Sequence, residues 1–181
     1  MIEQQYLDDV HLQLRKLKAQ ADKGIAQIKD EDLFALIDPD ANSIAILMKH
    51  LAGNMRSRWT DFLASDGEKP DRNRDSEFEV ESDTPARLRE GWDRAWTLAL
   101  DAVASLQPED LDKTVYVRGE AHAVIEAINR QLTHYAAHVG QIVLLAKHFA
   151  GADWKTLSIP KGKSREYDLS KGGSKYGVDR K

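Results

Sequence analysis

Apolar residues return every three or four positions along most of this chain, and four stretches carry the pattern long enough to predict helices. In the first, from about residue 4 to 29, the stripe is Tyr6, Val10, Leu14, Leu17, Ala21, Ile25 and Ile28, and it continues past Gly24. A short helical turn is expected within 30–36. A loop through Pro39 follows, with Asn42 or Ser43 placed to cap the next helix. The second helix is predicted over 44–63, since Ile44, Leu47, Met48, Leu51, Met55, Trp59 and Phe62 share one side. Thr84-Pro85 reads as an N-cap with proline at the first helical position. It opens a third helix to about residue 106, with Leu88, Trp92, Ala95, Trp96, Ala99, Val103 and Leu106 inward. The fourth and most apolar helix is predicted over 121–149, and Thr114–Val117 before it is at most a small extended segment.

Two stretches lack the pattern. Residues 64–83 are polar and dense in charge, with no helical or strand period. They read either as a solvated interhelical loop or as a lid whose Lys69, Arg72 and Arg74 hold an anionic substrate, because guanidinium groups clamp carboxylates in a planar, two-pronged way. After Gly151 the periodicity stops, although Trp154, Leu157 and Ile159 are placed to pin the start of an extension. Residues 161–181 are rich in Gly, Lys and Ser, and a mobile basic tail is expected there. Its seven positive and three negative side chains give +4, against −4 for the whole chain, which favours contact with the acidic body. Four long helices and almost no strand signal imply an all-α four-helix bundle over 1–160, followed by this tail.

Composition narrows the chemistry. At 181 residues the chain fits one domain. It has no cysteine, which excludes disulfides, thiolate metal ligands and cysteine nucleophiles, so any metal sits on nitrogen and oxygen. The first residues carry acidic and amide side chains where a signal peptide would be basic and then apolar, and no segment approaches the roughly 20 apolar residues of a membrane span. A cytoplasmic protein without membrane contact is expected. A net charge of −4 also argues against nucleic acid as a partner.

The candidate chemistry lies in His134-Tyr135-Ala136-Ala137-His138. Imidazoles four residues apart project from one side of a helix about a turn apart and can share a metal ion. With His134 at zero on the wheel, Ala127, Gln131, His138, Ile142, Leu145 and Phe149 fall within about 80°, so both histidines are expected to face the core. His50 is the best third ligand, although it lies on the order of 100° from the centre of its helix's stripe. Three neutral imidazoles leave an open coordination position, the arrangement of a reactive rather than a structural site. Asn54, Gln131 and Gln141 are candidate hydrogen-bond partners for the imidazoles. A hydrogen-bonded core pair is the competing account of His134 and His138. The glutamate of the zinc-protease helix is missing, as Tyr135 stands in its place, so no catalytic residue is assigned. His11, His122 and His148 fall on or near polar faces, Glu79 and Glu81 read as solvated, and neither a nucleophile elbow nor a phosphate-cradling glycine loop is present.

These residues also carry a resemblance. Asn42-Ser43-Ile44 through Lys49-His50-Leu51-Ala52-Gly53-Asn54, then Ser57 to Leu63, Asp66-Gly67-Glu68-Lys69 and Arg72-Asn73-Arg74-Asp75, resemble the DinB-like superfamily, which includes the YfiT-like metal-dependent hydrolases. More narrowly they resemble a bacterial branch known only as a domain of unknown function. His134 to Lys147, with His138-Val139-Gly140-Gln141-Ile142, and Trp154 with Leu157-Ser158-Ile159-Pro160-Lys161-Gly162 are similar to the same branch. The resemblance implies a four-helix bundle, often a homodimer, with a three-histidine site for nickel, zinc or a similar divalent ion at His50, His134 and His138. It also implies two kinds of chemistry on a small-molecule substrate, metal-dependent hydrolysis or S-transfer with a low-molecular-weight thiol as cosubstrate. The alternative is a non-catalytic small-ligand-binding or stress-response module with a vestigial metal site.

Overall fold

All four stripes become helices in the computed structural model, which describes residues 1–163. They are α1 (Ile2–Ile25), α2 (Ile44–Trp59), α3 (Pro85–Ala104) and α4 (Val124–Ala150). α1 packs chiefly on α4 and also on α3, while α2 packs chiefly on α3 and also meets α4. The shared core includes Leu14, Ile44, Leu51, Trp96, Tyr135 and Ile142, all fully buried. Helix ends are satisfied as the sequence predicts for two of them: the Ser43 hydroxyl accepts from the Ile46 amide at 3.2 Å, and the Thr84 hydroxyl from the Arg87 amide at 3.3 Å. At the start of α4, Glu126 reaches back to accept from the Ala123 amide at 2.9 Å.

Several boundaries differ from the periodicity. α1 stops at Ile25, although Ile28 still packs on the core from the turn that follows. The helical turn expected next is the 3-10 turn Glu31–Leu33, which delivers Leu33 to the core. α2 ends at Trp59 rather than at residue 63, because Asp61 takes a left-handed conformation (φ 48°) and its carbonyl accepts the amides of both Ala64 and Ser65 at 2.9 Å.

The expectation of an all-α chain needs correction. Thr114–Val117 is a strand, β1, and Glu120–Ala123 forms a second, β2, paired antiparallel to it with Thr114 opposite Ala123 and Val117 opposite Glu120. Arg118 and Gly119 both have positive φ, 58° and 75°, as a tight two-residue hairpin turn requires. Residues 121–123, read as the first turn of helix four, therefore belong to β2. Their alanines suit a helix intrinsically, but closing the hairpin buries Val115 and Val117. The described residues are thus mostly helical with one small two-stranded sheet.

The segment between α2 and α3 has little regular structure beyond the 3-10 turn Asp75–Phe78, yet it is not merely solvated. It folds back over α2 and is tied down at both ends: Arg58 pairs with Glu68 at 3.0 Å, and Lys49 with Asp83 at 2.6 Å. Asp66 binds it to the hairpin, accepting from the Arg118 and Gly119 amides at 2.8 and 2.7 Å. Past α4, Trp154 packs on the core and Gln27 exchanges two hydrogen bonds with the Lys155 backbone (2.6 and 3.1 Å), so the start of the extension is pinned. The tail from 164 onward lies outside the described residues. Among the described residues no helix is long and apolar enough to cross a membrane.

Candidate metal centre

His50 reaches the interior because α2 has two covered faces. Its apolar stripe meets α3, and the folded-back segment covers the adjacent polar side, burying His50, Asn54, Ser57 and Arg58. The Phe78 ring lies 5.3 Å from the His50 ring. On α4 Ala127, Gln131, Ile142 and Leu145 are buried as expected, but Tyr135 and Val139, one position past each histidine, are the fully buried residues at the level of the site. His134 and His138 are therefore half-buried at the edge of the core face rather than at its centre, and turn toward α2.

There the three imidazoles converge. His134 Nε2 lies 3.3 Å from His50 Nε2 and 3.1 Å from His138 Nε2, and one nitrogen of each ring falls within 4.8 Å of the others. Ligand nitrogens held about 2.0–2.1 Å from one ion are roughly 2.8–3.4 Å apart in octahedral or tetrahedral geometry. The contacts of the opposite ring nitrogens favour one tautomer in two of the rings. His50 Nδ1 faces the Glu77 carboxylate at 2.9 Å and His138 Nδ1 faces the Gln141 side-chain oxygen at 2.8 Å, so each donates its proton outward. Their Nε2 lone pairs then both point at His134 Nε2, which has at most one proton to share between them. A divalent cation at the convergence point resolves that repulsion, and a carboxylate or amide oxygen behind the ring is the usual support of a metal-bound histidine. The donor set fits such an ion.

Burial also keeps His134 and His138 neutral. Burial, reinforced by the neighbouring His138 and His50, lowers the His134 pKa from 6.5 to about 4. Burial lowers that of His138, against the hydrogen bond to Gln141. Glu77 is buried, which opposes its ionisation, but the hydrogen bonds from His50 and Arg72 outweigh this and hold its pKa below the usual glutamate value. Arg72 grips it with two prongs, Nε to Oε1 at 2.8 Å and a terminal nitrogen to Oε2 at 3.0 Å.

Glu77 is the residue that reading the sequence missed. It sits in the charged segment whose carboxylates looked solvated, and its signal was Gly53, a glycine inside an otherwise well-formed helix. A Cβ at Gly53 would fall 2.7 Å from the Glu77 carboxylate carbon, so only glycine admits the carboxylate against α2. Of the partners the sequence proposed, Gln141 contacts His138, whereas Asn54 accepts from the Tyr135 hydroxyl at 3.2 Å. Tyr135 in turn accepts from the Trp59 indole at 2.9 Å, and burial holds its phenol well above the ordinary pKa, so it is a packing residue rather than a base. Gln131 is buried beside the site, and its side-chain oxygen has no partner among the described residues.

A cavity of about 170 Å³ opens onto His50 and His134. Arg58, Arg72, Arg74, Arg118 and Arg130 line it, together with Asn54 and Gln131, and no carboxylate among the described residues does. Of the three lid candidates, Arg74 lines this cavity, Arg72 does so while bound to Glu77, and the Lys69 ammonium turns away to donate to the Asp66 carbonyl at 2.5 Å. A larger groove of about 550 Å³ lies behind Glu77, between α2 and α3, without a histidine in its walls. His11 and His148 stand apart from the centre on α1 and the exposed face of α4, and His122 is on β2 with Glu120 3.7 Å away. A family model described as "Protein of unknown function (DUF1572)" matches residues 1–163. No curated protein matches the chain.

Proposed function

The chain belongs to this family of unknown function, and we propose that it is a divalent-metal-dependent protein acting on a small molecule, with His50, His134 and His138 as the ligands. The observation that carries the reading is the convergence of three ring nitrogens: Glu77 and Gln141 sit behind His50 and His138 as acceptors for outward N–H groups, which leaves two Nε2 lone pairs aimed at His134 Nε2 with at most one proton among the three nitrogens. Nickel and zinc suit an all-nitrogen site, with the ion actually held depending on availability. Such an ion supplies Lewis acidity at an open coordination position, enough to favour the anion of a thiol or of water near neutral pH.

What this chain's own residues contribute is orientation and shielding. Glu77 aims His50, Gln141 aims His138, and α2 together with its covering segment keeps His50 dry. Among the described residues no free carboxylate stands ready as a proton acceptor, since none lines the cavity and Glu77 is engaged by His50 and Arg72. That favours a reaction whose nucleophile is activated by the ion alone, such as S-transfer from a low-molecular-weight thiol, ahead of a hydrolysis assisted by a protein base. The helical arrangement around a three-histidine cluster supports placing the chain in the DinB-like superfamily, and a homodimer without affinity for nucleic acid belongs to the same reading.

The test is metal content. After nickel or zinc is offered and excess removed, the parent holds about one ion per chain. His50→Ala, His134→Ala and His138→Ala each emerge almost metal-free yet helical, because an ion on three imidazoles loses most of its affinity with any one of them. His11→Ala and His148→Ala keep the parental content. A parent that takes up no stoichiometric metal returns His134 and His138 to the status of core histidines.

A further inference from the structure

The cavity beside the histidines carries a charge that the fold itself does not use. Five arginines line it in a chain whose net charge is −4. Two carboxylates answer them: Glu77 is taken by Arg72, and Glu68 is shared at 3.0, 3.2 and 3.5 Å among Arg58, Arg118 and Arg72. Five minus two leaves the cluster at +3. Arg74 and Arg130 have no partner for their side chains among the described residues. Arg58 is buried to 6 % exposure, yet its Nε–H has no acceptor. Like charges crowded around one cavity, with two guanidinium groups unpaired at its rim, destabilise a fold unless an anion answers them.

We infer that this cavity is a phosphate subsite, which seats the phosphate of a small phosphorylated substrate on Arg58, Arg74 and Arg130 and leaves the rest of that substrate facing His50 and His134. The donors arrive from three separate elements: Arg58 from α2, Arg74 from the segment that covers it, and Arg130 from α4. A carboxylate has two oxygens in one plane and satisfies one fork, whereas a phosphate offers three oxygens in different directions and up to two charges against the surplus of three. The volume, about 170 Å³, suits a phosphate and a short attached group rather than a nucleotide. The anion site stands on the arginines alone, and only the identity of the reacting end rests on the metal reading.

The experiment uses the full chain stripped of metal by a chelator, at pH 7.5, with inorganic phosphate as the probe. Calorimetric titration should show phosphate binding that survives matching of ionic strength with chloride, and acetate should bind at least tenfold more weakly. The double variant Arg74→Gln/Arg130→Gln, whose residues lie on the exposed rim, should keep its helical spectrum and lose phosphate affinity at least tenfold. His148→Ala, remote on the exposed face of α4, should bind phosphate as the parent does, and binding by the metal-stripped parent separates this subsite from the metal centre. Phosphate binding by the metal-stripped parent no stronger than that of acetate, or an unaffected double variant, would each overturn the inference.

Discussion

At the scale of single residues, neutrality of His134 and His138 is a property of the fold as well as a requirement of the proposed site. The folded chain holds His134 at a pKa of about 4, whereas in the unfolded chain it returns to its ordinary value of 6.5. Between those values the unfolded state binds a proton that the folded state refuses, so stability falls as pH drops below 6.5 and the loss levels off near 4. His138 acts in the same direction. Glu77, shifted downward, adds its loss in a lower window, as pH falls through its folded value. Urea midpoints of the metal-free protein should therefore decline from pH 7.5 to pH 4.5, and His134→Asn should flatten that decline. An equal slope in parent and variant would mean that His134 is not held neutral by burial.

At the scale of elements, how legible each part was in the sequence follows from how local its determinants are. The inward residues of α3 are all buried as the three-and-four spacing predicts, because one helix face meeting one core is a local pattern. The hairpin was half visible: β1 has β-branched alternation, but β2 is Glu-Ala-His-Ala and its turn is Arg-Gly rather than the familiar Asn-Gly, so neither announces a strand. His134, His138 and His50 were legible as a set, whereas the partner of His50 was not, since Glu77 comes from a segment with no period and acquires its role only when that segment folds over α2. Gly53 is the joint of this arrangement. Gly53→Ala should favour α2 intrinsically by about 1 kcal/mol while driving the Glu77 carboxylate off its seat between His50 and Arg72. The expected outcome is a helical protein whose nickel or zinc affinity falls about 10- to 100-fold, the usual effect of losing the group behind a ligating histidine. Competition titration against a chelating dye reads this directly, and unchanged affinity would show that Glu77 does not orient His50.

At the scale of the whole molecule, the centre lies where two halves of the helical core meet. α1 leans chiefly on α4 and α2 chiefly on α3, so an ion shared by His50 of α2 and the two histidines of α4 would tie one pair of helices to the other. The covering segment makes the same connection from outside: it is pinned to α2 through Arg58 and Lys49, and to the hairpin that leads into α4 through Asp66. An ion that binds only when both helices are in place is linked to folding, and at a free concentration about 100 times its dissociation constant it stabilises the native state by about 2.7 kcal/mol. For a domain of this size each kcal/mol moves the thermal midpoint by about 2–4 °C, so saturating nickel or zinc should raise it by about 5–11 °C. The three single histidine-to-alanine variants should show no such rise, while His148→Ala, remote on the exposed side of α4, should show the full one. Differential scanning calorimetry with and without metal reads the difference. A rise that persists in His50→Ala would place the ion on α4 alone, and the link between the two halves of the core would then be made by packing and the covering segment without it.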